Sequence, residues 1–315
     1  MNGSKEKLPE ISVVMSVYNG ERHLEKTLNS MLVQTFRDFE FIIINDGSSD
    51  RTAEVLQQYA EKDSRIRAIY QENTGLTHAL INGCSLARGE FIARQDAGDI
   101  SFPERLEIQL ELLTANPRTV LVGCGAEFIT PANEVLYQCL SPGLQLERGL
   151  GVLSLDKIKG PPHHGGVMFK RRAYETCGGY RPQFRVAQDI DLWLRLCEIG
   201  SCQGNHEVLY QASVESGSIS VRCGPEQYYF GGIAIESAKL RRAGLDDAKL
   251  LQNIRLSERP FKSFQKTNHA GYYYFLASML ADTNKAAARK YLDKALGENP
   301  LHIKARLRRM TLGKK

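Results

Sequence analysis

The chain has 315 residues, of which 42% are hydrophobic and 24% charged, so its composition suits two globular domains with ordinary apolar cores. Its net charge of +5 is too small to indicate a nucleic-acid-binding protein, although it suits a phosphate-bearing ligand. No apolar run approaches the length of a membrane span, and residues 1–9 lack the apolar centre of a signal peptide. We therefore expect a cytoplasmic protein whose seven scattered cysteines are reduced thiols.

The first hundred residues alternate between strand and helix patterns. Ile11–Val17 and Phe39–Ile44 are apolar and rich in β-branched residues, as expected of strands buried on both faces. Helical patterns follow at 24–32, at 50–59 and at 77–87, and shorter strand patterns lie at 66–70 and 90–93. This alternation predicts an α/β fold with a parallel sheet, whose ligands bind beyond the carboxyl ends of the strands.

Regularity weakens after about residue 115, where short strands are predicted at 120–123, 128–129 and 167–169, with an amphipathic helix around Trp193. From about residue 226 the pattern is helical, and Gly271–Met310 predicts two or more helices. We expect an α/β domain at 9–222 and a helical region at 223–315. The basic end of the chain is interpreted as a solvated face or a frayed tail, with peripheral contact to an anionic membrane as the alternative.

Two carboxylates, Asp96 and Asp99, stand three residues apart in a small-residue turn after a buried strand. Their hard oxygens suit Mn²⁺ or Mg²⁺, which neutralise phosphate oxygens. The structural alternative is an Asx-turn followed by a helix that Asp99 or Ser101 caps. The sequence of the turn by itself does not distinguish the metal site from the structural alternative.

Several motifs in order are similar to those of glycosyltransferase family 2. They are Ser12–Gly20 (SVVMSVYNG), Ile43–Asp50 (IINDGSSD), Asn73–Gly75, Ala87–Ile92 (ARGEFI), Asp96–Asp99, Phe169–Tyr180 and Gln188–Arg195 (QDIDLWLR). The resemblance covers about residues 9–220. It implies an α/β fold of the GT-A type, Rossmann-like, with a mixed, mostly parallel sheet flanked by helices and a C-terminal helical extension.

The resemblance also implies a reaction, in which one sugar moves with inversion from a nucleotide-diphospho-sugar to a hydroxyl of a glycan or lipid-linked acceptor. The donor is typically a UDP-sugar. The processive members of the family carry a Gln-x-x-Arg-Trp motif, which this chain lacks, so we expect a non-processive enzyme. Two other interpretations remain open: an inactive nucleotide-sugar-binding or scaffold protein, and, with less support, a sugar nucleotidyltransferase.

The residues that match the family's donor-binding positions lie at the ends of the predicted strands and in one later loop. They are Val17, Tyr18, Asn19, Glu21, Asp46, Asn73, Gly75, Arg94, Asp96 and His164. In the family's pattern Glu21 lies near the ribose, Asp46 bonds the base, and Arg94 contacts the diphosphate or holds Asp96. Asp96 would hold the ribose or the metal, Asp96 and Asp99 are the candidate ligands of the Mn²⁺ or Mg²⁺, and Asp189 would be the general base.

The chain departs from the family's pattern at two positions. Gly98 stands where the family usually has a third carboxylate, so metal binding rests on Asp96 and Asp99, or draws on a histidine such as His163 or His164. Gln188 replaces the glutamate before Asp189, and the loss of a negative neighbour would leave Asp189 a weaker base. The purely structural alternative for Asp189 is a helix N-cap. For His163 and His164 it is a turn in which one histidine is hydrogen-bonded to the main chain.

Overall fold

Nine strands and twelve α-helices are formed by the residues that the computed structural model describes, 7–216, 224–254 and 269–312. The strands are β1 (Ile11–Val17), β2 (Phe39–Asp46), β3 (Ile66–Gln71), β4 (Phe91–Arg94), β5 (Ile100–Ser101), β6 (Thr119–Ile129), β7 (Val135–Cys139), β8 (Val167–Lys170) and β9 (Ser201–Ser213). The helices are α1 (Leu24–Leu32), α2 (Thr52–Lys62), α3 (Leu76–Ser85), α4 (Arg105–Ala115), α5 (Leu146–Gly151), α6 (Arg171–Thr176), α7 (Gln188–Ile199), α8 (Gly224–Arg242), α9 (Ala248–Gln252), α10 (His269–Leu280), α11 (Lys285–Glu298) and α12 (Ile303–Thr311).

The strands form one mixed sheet in the order β3-β2-β1-β4-β8-β6-β9-β5, and β7 pairs with β6. Its first four strands are parallel, with Val13 opposite Phe41 on one side and Ala93 on the other. Strand β8 is antiparallel to both β4 and β6, and β5 is antiparallel to β9. The expected α/β fold with a mixed sheet flanked by helices is confirmed, with antiparallel strands making up its second half.

Both faces of the parallel part of the sheet are covered, because successive side chains of a strand point to opposite faces. Val13 and Met15 of β1 belong to the core on the side of α1, α2 and α4. Val14, between them, belongs to the core on the side of α3, α5 and α7. Most polar side chains of β1, β2 and β4 therefore lie near the ends of the strands, as Asn45, Asp46 and Arg94 do.

The described residues divide into two compact units. The first comprises residues 7–126, 139–212 and 228–254, and the second comprises 127–138, 213–216, 224–227 and 269–312. In the second unit, Leu276 and Leu280 of α10 pack with Leu292 of α11 in a separate apolar core. The domain boundary expected at 222–223 lies outside the described residues.

Cys197 and Cys202 form a disulfide between the last turn of α7 and the start of β9. The expectation that all cysteines are reduced thiols is therefore wrong for this pair. Gly200 ends α7 in an extended conformation, and the two Cα atoms lie 5.9 Å apart, within the range of a disulfide. A spacing of five residues in sequence carries no signal of this approach, and Cys223 lies outside the described residues.

Glu40 of β2 is a buried carboxylate that joins three parts of the first unit. Its Oε1 accepts hydrogen bonds from Ser12 Oγ at 2.7 Å and from Arg88 N at 2.8 Å, and its Oε2 accepts from Arg67 and from Arg88 Nε. Burial raises the pKa of Glu40, but the hydrogen bonds from Ser12 and Arg88 and the charge of Arg67 outweigh it. The pKa therefore lies below its ordinary value.

We expect Glu40→Gln to lower the free energy of unfolding by about 3 kcal/mol at neutral pH, because two arginines lose their buried partner. A lowered pKa in the folded state stabilises the fold above the ordinary pKa of glutamate, and this contribution disappears as the pH falls through the folded value. Urea unfolding at neutral and acidic pH measures both effects. The same change at exposed Glu25 is the control, and an equal loss in the two variants would contradict the prediction.

Candidate functional site

The loops that follow β1 and β2 are bonded to each other at the carboxyl edge of the sheet. Val17 ends β1 and is buried, whereas the ring of Tyr18 is 56% exposed. Asn19 has a φ of +51°, which asparagine tolerates better than most residues. Its N–H donates to Ser48 Oγ at 2.9 Å and its Oδ1 accepts from Ser49 N at 2.8 Å. These contacts give the edge a fixed shape beside an exposed aromatic ring.

Glu21 adds to the same contact between loops. Its Oε2 accepts a hydrogen bond from Arg51 N at 3.0 Å, and its own N–H donates to Asp50 Oδ2 at 3.1 Å. The two loops are thus joined from Asn19 to Glu21 on one side and from Ser48 to Arg51 on the other.

Asp46, at the end of β2, organises the turn that leads into α3. Its Oδ1 accepts from Thr74 N and from Gln71 Nε2, at 2.9 and 2.8 Å, and its Oδ2 accepts from Gly75 N at 2.9 Å. Asn73 Nδ2 donates to the main-chain oxygen of Asp46 at 2.9 Å. Gly75 has a φ of +87°, in the left-handed region that favours glycine. Asp46, Asn73 and Gly75 therefore form a single hydrogen-bonded unit.

Arg94, the last residue of β4, is fully buried and holds Asp96 in place. It donates to the main-chain oxygen of Val14 through Nη1 and to Asp96 Oδ1 through Nη2, the latter at 2.8 Å. Burial raises the pKa of Asp96, but the charges of neighbouring groups, Arg94 foremost, outweigh it, so the pKa lies below its ordinary value. Asp96 is therefore a carboxylate at neutral pH.

Asp96, Asp99 and His163 offer three ligand atoms that all lie within 4.8 Å of one another. His163 Nδ1 is 3.8 Å from Asp96 Oδ2, and His163 Nε2 is 3.7 Å from Asp99 Oδ2. Two carboxylate oxygens and an imidazole nitrogen suit Mn²⁺ by their chemistry, and Mg²⁺ less well. The residues fit a divalent cation without the third carboxylate, since His163 supplies a third ligand atom within 4.8 Å of the other two.

The turn between the two aspartates accounts for the glycine at its third position. Gly98 has a φ of +97°, where a side chain is strained, although its missing Cβ would meet only His23 Cβ, at 3.7 Å. Helix α4 begins at Arg105 with Glu104 as its N-cap residue. Neither Asp99 nor Ser101 is therefore the N-cap of α4, and the turn from Asp96 to Asp99 remains, with Asp99 N donating to the main-chain oxygen of Asp96 at 3.3 Å.

Tyr210 of β9 contacts all three residues that offer candidate metal ligands. Its hydroxyl donates to Asp99 Oδ2 at 3.0 Å and accepts from Asp96 N at 3.1 Å. Its ring stacks on that of His163, with centroids 5.1 Å apart. Burial, and then the charges of Asp99 and Asp96, raise the pKa of Tyr210 well above its ordinary value, so it remains a donor. Sequence reasoning missed Tyr210, which follows Asp99 by 111 residues and belongs to no local motif.

Gly165 has no side chain, and the hydroxyl of Tyr210 occupies the space that one would fill. A Cβ at this position would lie 2.0 Å from Tyr210 Oη and 3.1 Å from Asp96 N. We expect Gly165→Ala to lower the free energy of unfolding by about 2 kcal/mol, and to weaken Mn²⁺ binding, because Tyr210 must move. Thermal unfolding and a Mn²⁺ titration measure the two effects. Gly151→Ala is the control, since a Cβ there would meet nothing within 4 Å beyond its chain neighbours and its own helix, and equal behaviour of both variants would refute the prediction.

Asp189 is the second residue of α7, and a strained residue precedes the helix. Ala187, the N-cap residue, has a φ of +57°, which is uncommon outside glycine and asparagine. Asp189 is half-buried, and its Oδ1 accepts from Ile190 N at 2.9 Å. Burial raises its pKa, and the charges of His163 and Asp96 both act on it. Asp189 is therefore not the N-cap, which is Ala187, and charged groups of the candidate metal site act on its carboxylate.

Ion pairs join a buried aspartate of α7 to one arginine of the same helix and one outside it. Asp191 is fully buried and lies 2.5 Å from Arg195 Nη2 and 3.6 Å from Arg181 Nη1. Arg181 also contacts Asp247, at 2.8 Å. Asp191 is therefore occupied by ion pairs within the fold.

The two histidines of the loop at 163–164 have different surroundings. His164 is buried, and its Nε2 is 2.6 Å from Tyr180 Oη. Burial and then the charge of Arg94 lower the pKa of His164 to about 3, so it is neutral. The structure therefore places His163 beside the carboxylates and His164 against Tyr180 and Trp193, a distinction that adjacent residues in a loop do not reveal in sequence.

The chain is similar to known glycosyltransferases in sequence and in fold. Residues 12–178 match the family model of "Glycosyl transferase family 2". EpsE of Bacillus subtilis (strain 168), which carries a provisional glycosyltransferase name, is 36% identical over 224 residues, covering 68% of this chain and 76% of EpsE.

Solved structures show the same fold at lower identity. S. aureus TarS 1–349 in complex with UDP-GlcNAc has a TM-score of 0.60 at 17% identity, covering 96% of this chain and 89% of that one. The mannosyltransferase PcManGT from Pyrobaculum calidifontis, in complex with GDP-Man and Mn²⁺, has a TM-score of 0.52 at 17% identity, covering 97% and 88%. The family model and EpsE match this chain in sequence, so they show its family as well as its fold. This chain is a glycosyltransferase that belongs to family 2 and has the GT-A fold.

Proposed function

We propose that the protein transfers one hexose from a nucleoside-diphosphate sugar, a UDP-sugar in the first instance, to a hydroxyl of a glycan or lipid-linked acceptor during polysaccharide biosynthesis. The transfer would be non-processive and would invert the anomeric carbon. One observation carries the proposal: Asp96, Asp99 and His163 converge at the carboxyl edge of the sheet, and Asp189 lies close enough for His163 and Asp96 to affect its pKa. We assign the reaction to residues 9–222.

The donor nucleotide would lie across the ends of β1 and β2. The exposed ring of Tyr18 offers a stacking face for the base, and the main chain at Val17 and Asn19 lies beside it. Glu21 would lie near the ribose. Asp46 would accept from the imide N–H of uracil through Oδ2, which takes a single hydrogen bond in the Asp46 unit, from Gly75. The complexes of TarS with UDP-GlcNAc and of PcManGT with GDP-Man support donors of this class.

Asp96, Asp99 and His163 would hold Mn²⁺ or Mg²⁺. When bound, the cation supplies positive charge that stabilises the leaving diphosphate. His163 Nδ1 accepts a hydrogen bond from Gly165 N at 3.1 Å, so ligation through Nε2 requires a proton on Nδ1 and the loss of that bond. Arg94 is buried and bonded to Asp96, so we assign it the role of holding Asp96 and not of contacting the diphosphate. His164 would shape the wall of the donor site.

Asp189 would accept the proton of the acceptor hydroxyl as that oxygen attacks the anomeric carbon and the nucleoside diphosphate leaves from the opposite face. The raised pKa of its carboxyl group makes Asp189 a stronger base than a solvated aspartate. This effect of burial opposes the weakening expected from Gln188, which removes a negative neighbour.

A thermal-shift screen of UDP, GDP, CDP and their sugars, with and without Mn²⁺, tests donor binding. A ligand at one hundred times its Kd adds about 2.7 kcal/mol to the free energy of unfolding, so we expect the Tm to rise by about 5 °C with UDP and Mn²⁺. Tyr18→Ala should reduce the rise, because the base loses its stacking face. Absence of any shift with every nucleotide would refute the proposal.

A further inference from the structure

The large apolar side chains of the second unit with the highest exposed fractions lie just before and within α12. Leu301, Ile303, Leu307 and Met310 are 77%, 71%, 55% and 61% exposed. Leu301 and Ile303 are the two most exposed large hydrophobic side chains among the described residues. Single exposed apolar residues are common on protein surfaces, but four within ten residues form a patch that needs an explanation.

Three of these residues lie on one face of α12. Ile303, Leu307 and Met310 follow the spacing i, i+4, i+7, which places them in a single stripe along the helix. Ala305 lies on the other side of the helix and is fully buried, as part of the core of the second unit. The helix therefore buries its small residue and turns its large apolar residues outward. We call Ile303, Leu307 and Met310 the α12 stripe.

Positive charge flanks the α12 stripe. Residues 301–312 contain four basic side chains, at 304, 306, 308 and 309, and no acidic one. Lys304 and Arg306 are exposed, and at 100° per residue they fall on opposite sides of the stripe. An apolar stripe between cations is typical of a helix that lies in the interface of an anionic membrane. A protein partner would not require cations on both sides of the stripe.

We infer that α12 binds the surface of an anionic phospholipid bilayer, with the α12 stripe in the boundary between headgroups and acyl chains and with Lys304 and Arg306 among the phosphates. No helix in the described parts of the chain is long and apolar enough to span a bilayer. Attachment through α12 is a property separate from sugar transfer and does not depend on the proposed donor or base.

Flotation of the full-length protein with vesicles tests the inference. On vesicles of equal parts phosphatidylcholine and phosphatidylglycerol we expect partitioning about 30-fold stronger than on phosphatidylcholine alone, falling as salt is added. The triple variant Ile303→Gln, Leu307→Gln, Met310→Gln keeps helix propensity and should reduce partitioning about tenfold or more. Lys304→Gln with Arg306→Gln should remove most of the preference for phosphatidylglycerol, at about 1 kcal/mol, or about fivefold, per charge.

The matched control changes three exposed apolar residues outside α12, Val33, Leu140 and Val152, to glutamine, and should partition like the wild type. Failure of the wild type to bind the anionic vesicles, or equal binding by the α12 triple variant, would overturn the inference. Light scattering after size-exclusion chromatography tests whether the α12 stripe instead joins two copies of the protein. If the triple variant changes the mass of the particle and not its partitioning, the α12 stripe is an interface between copies and the inference is wrong.

Discussion

Asp189→Asn is expected to lower the rate of sugar transfer by about 1,000-fold and to leave donor affinity within about twofold. The amide has nearly the shape of the carboxylate, so the start of α7 and its hydrogen bond to Ile190 N can persist. It cannot accept the proton of the acceptor hydroxyl. A steady-state transfer assay, with UDP titrated calorimetrically against the same variant, separates the two effects.

Glu198→Gln, at the other end of α7, is the matched control, because it makes the same chemical change in the same helix. We expect it to transfer at close to the wild-type rate. Wild-type rates from Asp189→Asn would exclude Asp189 as the base. A wild type that binds UDP but shows neither transfer nor hydrolysis with Mn²⁺ would instead favour the inactive binding or scaffold protein.

The pH dependence of kcat/KM gives a second readout of the same group. Asp189 acts as a base only when ionised, so the rate should fall as the pH drops through its pKa in the free enzyme. Because burial raises that pKa, the acid limb should lie above the ordinary range of an aspartate. An acid limb at or below that range would contradict the assignment of Asp189.

The parallel part of the fold could be predicted from sequence because its signals are local. The predicted strand at Ile11–Val17 has the observed bounds of β1, and the predicted helix at 24–32 matches α1. Each is encoded by the spacing of its own apolar residues. Strand β9 was not predicted, because its sequence mixes polar and apolar residues and its burial comes from neighbours distant in the chain.

The same distinction applies to the site. Motifs located Asp96, Asp99 and Asp189, since each stands in a short pattern. The burial of Arg94, the support from Tyr210 and the choice of His163 over His164 depend on tertiary packing. The argument from Gln188 considered charge alone, whereas burial is the largest influence on the pKa of Asp189.

His163→Ala is expected to weaken Mn²⁺ binding by about 100-fold and to reduce transfer in proportion at limiting Mn²⁺. The loss of one of three ligands is at least as damaging as the loss of a group that only orients a ligand, for which 10- to 100-fold is typical. The effect should be large here because Gly98 supplies no carboxylate to compensate. Removal of metal with EDTA should abolish transfer by the wild type, and added Mn²⁺ should restore it.

Calorimetric Mn²⁺ titration in the presence of UDP measures the affinity directly, with exposed His78→Ala on α3 as the control. His164→Ala distinguishes the two histidines of the loop. Since His164 is buried and bonded to Tyr180, its loss should lower stability more than it lowers Mn²⁺ affinity. If His164→Ala weakens Mn²⁺ binding as strongly as His163→Ala does, or if His163→Ala binds like the wild type, the cation is not held by His163. In the latter case Asp96 and Asp99 carry it without a histidine.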